Sequence, residues 1–325
     1  MSKKKKKLVI AATVLFLLAI VVIVFLNLRE NWVALSTKFT ESKDSGIVEY
    51  QGKKYRYNND LSNYLFLGID TRDPIESFEV RGEAGQADTI YLASYNRQEK
   101  TTKFLAIPRD TMAEIQVFAP DGTDLGTNID QITLQYGFGS GKRNSCELMK
   151  KAVSKVLHGV PIRGYCAINM DGIPLATEAV GGFELTVPDD ALATVNPDFV
   201  KGKVVTITKE TAEQFVRYRD TEEGQSAISR MERQKSFIEA FGKKTKSLMQ
   251  DDVQIIATIY ENVEDYMVTS MDVALLVEIA EATNMSDIEI KNIPGKGVDG
   301  DEFDEYYINE EQLYELIIQM FYEEI

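Results

Sequence analysis

The sequence contains very little histidine, cysteine or tryptophan. Its 325 residues include one histidine, two cysteines and one tryptophan. The single histidine, His158, lies in the turn-like segment LHGVP. A Ser-His-Asp hydrolase needs a histidine next to its nucleophile, and histidine-based metal sites need several. The sequence therefore does not favour either kind of chemistry.

Basic residues are outnumbered by acidic ones. The chain has 36 Lys and Arg against 51 Asp and Glu, and its net charge is −15. Five of the lysines stand together at 3–7, so only 31 basic residues face the 51 acidic ones elsewhere. Nucleic-acid binding depends on phosphate neutralisation by Lys and Arg, which such an acidic surface does not supply. We therefore expect no nucleic-acid partner.

One long apolar run occupies residues 8–28, in which only Thr13 and Asn27 are polar. At ~1.5 Å per residue this run covers about 30 Å, which is enough to cross a bilayer. A cleaved secretory signal is the alternative, but no clear small-residue cleavage site follows Leu28. Because the five lysines precede the run, the positive-inside rule predicts a cytoplasmic tail at 1–7, a single transmembrane helix at 8–28 and an extracellular remainder in the cell membrane.

Two cysteines in an external compartment raise the question of a disulfide. Cys146 lies near the start of a helical pattern, and Cys166 begins a strand-like run beyond the far end of that helix. Such a helix separates its two ends by about 15–18 Å, which is more than a disulfide spans. We therefore expect two small buried thiols rather than a bridge.

The rest of the chain alternates between strand-like and helical patterns. Residues 29–60 are polar and predict an extracellular spacer with a small hairpin centred on Gln51 and Gly52. The predicted strands are YLFLGID, DTIYLASYN, TTKFLAIPRD, YCAINMD, FELTVPDD and VVTITK, and the predicted helices are 144–157, 172–180, 209–219, 227–249, 270–283 and 309–322. The acidic segment VDGDEFDEYY is interpreted as a solvated loop. This order predicts an α/β fold, a layered α-β-α domain with a central mixed, largely antiparallel sheet.

Three charged residues are expected to meet at one edge of this sheet. A four-residue connection joins DTIYLASYN to TTKFLAIPRD, so the two strands form an antiparallel hairpin centred between Gln98 and Glu99. Asp88 and Arg109 are equally far from that centre and therefore lie opposite each other. If YLFLGID pairs antiparallel as well, Asp70 reaches the same edge. The alternative is that Asp70 and Asp88 only form turns and Arg109 is their surface salt-bridge partner.

Two later helices add further arginines. In TKETAEQFVRYRD, Thr208 is the expected N-cap, and Arg217 and Arg219 come at the C-terminal end. Its core-facing residues are predicted to be Ala212, Phe215 and Val216.

The second of these helices, SRMERQKSFIEAF, has a stripe that starts polar and becomes aromatic. The residues of this stripe are Arg230, Gln234, Phe237 and Phe241. Its first turn is expected to face a cleft, although a solvated basic helix start is the alternative. Two carboxylates beside an arginine cluster suit Mg²⁺ together with a phosphate group, and a pyrophosphate is the natural ligand.

The motifs that carry these residues resemble those of the LytR-CpsA-Psr proteins of Gram-positive bacteria. They are FLGIDTR (66–72), GQADTI (85–90), LAIPRDT (105–111), NIDQITLQYGFG (128–139), GVPIRGYCAINMDGIPLATEAVGG (159–182), VRYRD (216–220) and SRMERQ (229–234). The resemblance implies a catalytic domain at 61–325, with core motifs at 62–245 and a helical C-terminal part at 246–325. It also implies a phosphotransferase that moves an anionic, teichoic acid-like or capsule-like glycopolymer from undecaprenyl-pyrophosphate to peptidoglycan. Pyrophosphatase activity is a further expectation from the resemblance.

The same resemblance implies roles for individual residues. Asp70 and Asp88 would hold Mg²⁺ or Mn²⁺ or serve as the base for the acceptor hydroxyl, and Arg109 would take part in catalysis with them. The residues implied to hold the pyrophosphate are Arg72, Arg109, Arg217, Arg219, Arg230 and Gln234. An apolar groove would take the membrane lipid that carries the polymer.

The chain departs from the family pattern at two positions. The family usually has an arginine two residues before the second aspartate, where this sequence has Gln86. It often has an acid three residues before the helix arginine, where this sequence has Ala227. Arg81 and Arg233 are candidate substitutes for the missing arginine, and Asp220, Glu222 or Glu223 are candidate substitutes for the missing acid. These departures keep open a second hypothesis, a non-catalytic envelope protein that binds lipid-linked polymer or wall glycan.

Overall fold

The structure is a computed structural model. It describes residues 46–218, 226–283, 290–298, 300 and 303–325. The expected cytoplasmic tail, transmembrane helix and first part of the spacer lie outside these residues. None of the helices in the described ranges combines the length and the apolar character that a bilayer crossing requires.

The secondary structure follows the predicted order closely. The strands are β1 (Ile47–Tyr50), β2 (Lys53–Tyr57), β3 (Leu61–Ile69), β4 (Ala87–Asn96), β5 (Thr101–Ala106), β6 (Met112–Phe118), β7 (Asp124–Gln131), β8 (Gly164–Asn169), β9 (Phe183–Thr186), β10 (Val204–Ile207), β11 (Met267–Thr269), β12 (Ile290–Asn292), β13 (Gly295–Val298), β14 (Glu305–Ile308) and β15 (Tyr322–Glu324). The α-helices are α1 (Leu134–Gly137), α2 (Lys142–Val156), α3 (Gly172–Ala179), α4 (Lys209–Arg217), α5 (Ser226–Asp251), α6 (Ile255–Val263), α7 (Val273–Ala282) and α8 (Glu310–Phe321).

The chain divides into two compact units. The described part of the smaller unit consists of 46–58 and 314–325, and its strands form a sheet in the order β1-β2-β15. The predicted hairpin at Gln51 and Gly52 is confirmed, because β1 and β2 pair antiparallel across these two residues. Lys53 and Glu324 form an ion pair of 2.9 Å in this sheet.

The larger unit, residues 59–313, is built on a six-stranded sheet in the order β11-β8-β3-β4-β5-β12. β3, β4 and β5 pair antiparallel in sequence, while β8 lies parallel to β3 and β12 parallel to β5. Nearly every residue of β3 is buried, on both faces of the sheet. The prediction of a mixed, largely antiparallel central sheet is confirmed.

A second core lies between α4, α5 and the β9-β10 hairpin. Phe183 of β9 packs edge-on against Phe237 of α5, with ring centroids 5.0 Å apart. Phe215 and the rest of the predicted inner face of α4 are buried. Thr208 is the N-cap of α4, as predicted, and its backbone N–H donates to Thr211 Oγ1 at 3.0 Å in a capping box.

Arg233 of α5 is fully buried in the same region. Its Nη1 atom lies 3.0 Å and 3.1 Å from the two carboxylate oxygens of Asp189. Nε donates to the Phe215 carbonyl at 3.3 Å and Nη2 to the Tyr218 carbonyl. The arginine therefore joins the start of α5 to the end of α4 and to the loop after β9.

Some elements were not predicted from the sequence. β7 is almost entirely exposed, so its residues carry no apolar alternation that would indicate a strand. The interpretation of VDGDEFDEYY as a loop is wrong at both ends, because β13 and β14 pair antiparallel there. Cys146 and Cys166 are both free, as expected; Cys146 is buried and Cys166 is partly buried. Desolvation raises the pKa of each thiol to about 12.

We predict that Arg233→Met destabilises the fold by about 3 kcal/mol in urea denaturation. The substitution leaves Asp189 without its cation and two carbonyls without their donor. The matched control is Lys243→Met on an exposed position of the same helix, which should change the free energy of unfolding by less than about 0.5 kcal/mol. Equal stability of the two variants would contradict a structural role for Arg233.

Candidate functional site

The pairing of β4 and β5 brings Asp88 and Arg109 together. The register runs from Asn96 opposite Thr101 to Tyr91 opposite Ala106, and Ile107 N–H continues it with a 3.0 Å bond to the Ile90 carbonyl. Arg109 Nη1 donates to Asp88 Oδ1. The side chains are 26% and 19% exposed, so this ion pair is largely shielded from water.

Asp70 joins the same edge at the end of β3. A shift of register between Gly68 and Ile69 brings it beside Gln86, just before β4. Asp70 N–H donates to the Gln86 carbonyl at 3.0 Å, and Gln86 N–H donates to Asp70 Oδ1 at 2.6 Å. One oxygen of the Asp70 carboxylate is therefore engaged by the backbone of the neighbouring strand.

Gly85 permits this close approach. Its φ is +80°, and a Cβ atom there would lie 2.3 Å from Thr71 Cγ2 and 2.6 Å from Asp70 Oδ1. No other residue fits without displacing Asp70, because the space is filled and the conformation is strained for any side chain.

The side chain of Gln86 contacts Arg109. Arg109 Nη2 donates to Gln86 Oε1 at 2.8 Å, and Arg109 Nε lies 3.3 Å from Asp110 Oδ1. The residue that departs from the family pattern therefore holds the guanidinium that pairs with Asp88. No pattern in the sequence indicates this contact, because the family motif marks position 86 only as a missing charge.

The pKa of Asp88 is raised above the ordinary value of an aspartate. Burial is the largest cause, and repulsion by Asp70 adds to it. Arg109, Arg230 and Arg217, in that order, lower the pKa. Three of the predicted arginines therefore act on Asp88 through their charges, and Arg109 also donates a hydrogen bond to it.

A second group of ion pairs surrounds Glu213 of α4. Arg72 Nη2 donates to Glu213 Oε1, and Arg72 Nη1 donates to Asp171 Oδ1 at 2.8 Å. Arg217 Nη1 donates to the same Glu213 oxygen at 3.2 Å. Neither Glu213 nor Asp171 was predicted to be in the site. Glu213 carried a signal, since it precedes Arg217 by one helical turn, whereas Asp171 pairs with an arginine 99 residues away.

The remaining predicted residues have different locations. Gln234 is half-buried and its Nε2 lies 3.4 Å from the Val216 carbonyl. Arg81 donates to Asn144 at 2.9 Å and lies 5.5 Å from the centre of the Phe118 ring, so it does not replace an arginine at position 86. Arg233 belongs to the buried core and does not replace one either. Arg219, the side chain of Ala227, and the candidate acids Asp220, Glu222 and Glu223 lie outside the described residues.

Asp70 and Asp88 are the predicted metal ligands. Within the described ranges, the structure has no group of three or more His, Cys, Asp or Glu side chains placed to hold a metal ion. Mg²⁺ does not need one, because it usually takes one or two carboxylates and completes its shell with water and substrate phosphates. Burial and repulsion by Asp70 make the charged form of Asp88 costly and raise its pKa. A nearby cation would offset this cost by attracting the carboxylate. The two carboxylates therefore fit a divalent ion that shares its coordination with a phosphate.

We predict that Arg109→Met raises the pKa of Asp88 further. The substitution removes the largest influence that lowers this pKa and leaves burial unopposed at that side. The measurement is a carboxyl NMR titration of protein with labelled aspartate. Arg72→Met is the control, because its guanidinium is engaged by Glu213 and Asp171 and should leave Asp88 unchanged. A pKa that falls in the Arg109 variant would contradict the arrangement.

Comparison with known proteins gives a consistent result. The LytR_cpsA_psr family profile matches residues 22–321. The chain is 30% identical over 227 residues to the Enterococcus faecalis polyisoprenyl-teichoic acid–peptidoglycan teichoic acid transferase TagU, which covers 69% of this chain but 66% of that protein, slightly less than two thirds. It is 26% identical over 276 residues to the Bacillus subtilis transferase TagT, covering 81% of this chain and 77% of that one.

Two solved structures share the fold. The structure of TagT bound to LI-WTA aligns with a TM-score of 0.60 at 21% identity, over 81% of this chain and 90% of that one. The structure of B. subtilis TagV aligns with a TM-score of 0.60 at 20% identity, over 81% of this chain and 98% of that one. With a family match that spans most of its length and the same fold, this chain belongs to the LytR-CpsA-Psr family.

Proposed function

We propose that the protein is a membrane-anchored extracellular phosphotransferase. It moves an anionic glycopolymer from undecaprenyl-pyrophosphate to a hydroxyl of peptidoglycan, and residues 8–28 anchor it in the membrane. Family membership and the names of the related transferases support this proposal. The observation that carries it is the meeting of Asp70, Asp88 and Arg109 at one edge of the sheet, with two further arginines acting on Asp88.

The charges of the site favour a divalent cation. The described arginines of the site are Arg72, Arg109, Arg217 and Arg230, and the carboxylates around them are Asp70, Asp88, Asp110, Asp171 and Glu213. These carboxylates already offset the arginines before any ligand arrives. A pyrophosphate would bring still more negative charge. Its binding therefore requires either an added cation or the separation of the carboxylates from the arginines with which they are paired. Mg²⁺ or Mn²⁺ at Asp70 and Asp88 would supply that charge.

The residues then divide the work of a phosphoryl transfer. Arg109 and the other arginines bind and align the pyrophosphate, and a bound divalent ion supplies charge neutralisation. The acceptor hydroxyl oxygen forms a bond to the phosphorus of the sugar phosphate, the bond from this phosphorus to the bridging oxygen breaks, and undecaprenyl phosphate leaves. The hydroxyl proton passes to Asp88, and the burial that raises the pKa of this carboxylate favours the uptake of the proton.

One observation favours the second hypothesis, a protein that binds lipid-linked polymer or wall glycan without transferring it. Gln86 stands where the family usually has an arginine, and neither Arg81 nor Arg233 reaches that place. The site therefore has one charge fewer for stabilising a transition state. Its acid pair and its central arginine are nevertheless in place, so transfer is the better supported function.

We predict that the purified protein transfers polymer in the presence of Mg²⁺, a lipid-pyrophosphate donor and peptidoglycan. Asp88→Asn should lower the rate on the order of 100-fold or more, because the base and a metal ligand are lost together. His158→Ala should leave the rate unchanged, since His158 lies in the turn after α2, where its side chain contacts Glu310 at 3.1 Å. Donor binding without transfer or pyrophosphate cleavage would instead identify a binding protein.

We also predict that the transfer rate falls on acidification at a higher pH than an unperturbed aspartate would give. The pKa of Asp88 is raised, so its carboxylate takes up a proton earlier as the pH falls, and the proton removes both the base and the metal ligand. Increasing Mg²⁺ should move this acid limb to lower pH, because a bound cation favours the deprotonated form. A limb that does not respond to Mg²⁺ would contradict metal binding at Asp88.

A further inference from the structure

Gln86 contacts two of the three residues at the centre of the site, each with a different part of its structure. Its backbone N–H and carbonyl bond Asp70 at 2.6 Å and 3.0 Å, and its side-chain oxygen accepts a bond from Arg109 at 2.8 Å. We propose that Gln86 is a positioning residue, whose side chain fixes the orientation of the Arg109 guanidinium while its backbone fixes the Asp70 carboxylate. The catalytic consequence rests on the proposed function, but the positioning itself does not.

The contact to Arg109 uses the fork of the guanidinium. Nη1 is bonded to Asp88 and Nη2 to Gln86, so the plane of the group is held at two points. Asp110 contacts Nε, at 3.3 Å, and a contact at this atom does not prevent rotation about Nε–Cζ. Without Gln86, the guanidinium can therefore rotate about this bond and exchange its two terminal nitrogens. The second acceptor removes this freedom and fixes the face that Arg109 presents to an anion.

Glutamine is suited to this role by its chemistry. An arginine at position 86 has five donors and no acceptor, so it cannot receive a bond from Arg109. It would also place a second cation beside the first. A glutamine supplies a neutral acceptor that leaves the charge of Arg109 available to Asp88 and to a ligand. At position 86 this chain therefore has a residue that orients Arg109, where the family pattern has a second positive charge.

The backbone half of this contact is independent of the side chain. Gly85 holds Gln86 against Asp70, since any Cβ at position 85 would collide with Thr71 and Asp70. A substitution at position 86 that keeps the backbone should therefore release Arg109 and leave Asp70 in place. This separation makes the side chain testable by itself.

The experiment uses full-length protein with ¹⁵N-labelled arginine and no ligand. Gln86→Leu and Gln86→Met both remove the acceptor, and Gln86→Glu retains an oxygen at the same reach. We expect the rotation of the Arg109 guanidinium about Nε–Cζ to accelerate at least about tenfold in the Leu and Met variants and to stay slow in the Glu variant. The matched control is Gln98→Leu, at an exposed position of the β4-β5 turn, which should not change it.

Polymer transfer is then measured on the same proteins. Loss of orientation should lower kcat about tenfold to a hundredfold in the Leu and Met variants, with a smaller change in KM, because the charge that binds the anion remains. The proposal is overturned if the guanidinium rotation rate is unchanged in a Leu or Met variant that folds as the parent does. It is also overturned if rotation accelerates in the Glu variant. If both variants unfold, the same comparison of rotation rates is made on Gln86→Ala, and an unchanged rate there overturns it equally. A third outcome separates the two proposals. If the Leu and Met variants show faster rotation but neither they nor the parent protein transfers polymer, the positioning role of Gln86 is upheld and the proposed function is contradicted.

Discussion

The carboxylate of Asp88 must be compensated, and the architecture around it follows from that requirement. The group lies largely out of water, so its charge is costly unless a cation stands beside it. That cation, Arg109, is delivered by the register of one hairpin. Asn96 Oδ1 accepts bonds from Gln98 N–H at 3.0 Å and Glu99 N–H at 2.9 Å, which stabilises the turn that sets this register. A slip of one residue would turn Arg109 to the other face of the sheet.

Four arginines of the described structure fall into three groups that differ in how deeply the side chain is buried. Arg233 is fully enclosed and acts as part of the core. Arg109 is largely shielded and held by Asp88 and Gln86. Arg72 and Arg217 are about half exposed and share Glu213, in ion pairs that are typically worth about 0–1 kcal/mol each. An incoming anion can therefore recruit Arg72 and Arg217 at little cost, while Arg109 is already in place.

Sequence patterns predicted the features that depend on local periodicity. The central sheet, the N-cap at Thr208 and the partnership of Asp88 with Arg109 follow from hydrophobic alternation, capping chemistry and the symmetry of a hairpin about its turn. Features that join distant segments were not predictable in this way. Arg233 looked like a candidate for the site because it neighbours Arg230 along one helix, yet its partner Asp189 is 44 residues away. Asp171 pairs with Arg72 across 99 residues of sequence, a contact that no local pattern indicates.

Position 86 shows why a departure from a family pattern has to be judged in three dimensions. Glutamine at position 86 removes one positive charge from the site. Arg81 does not replace this charge, because its side chain contacts Asn144 and Phe118. The same glutamine adds a hydrogen-bond acceptor for Arg109, which the side chain of an arginine at this position could not supply. Under the proposed function, a site with fewer fixed cations would depend more on a divalent ion to balance a pyrophosphate, and it would gain more from having its central arginine correctly oriented. In this proposal, reliance on a metal ion and a fixed orientation of Arg109 both follow from the presence of glutamine at position 86.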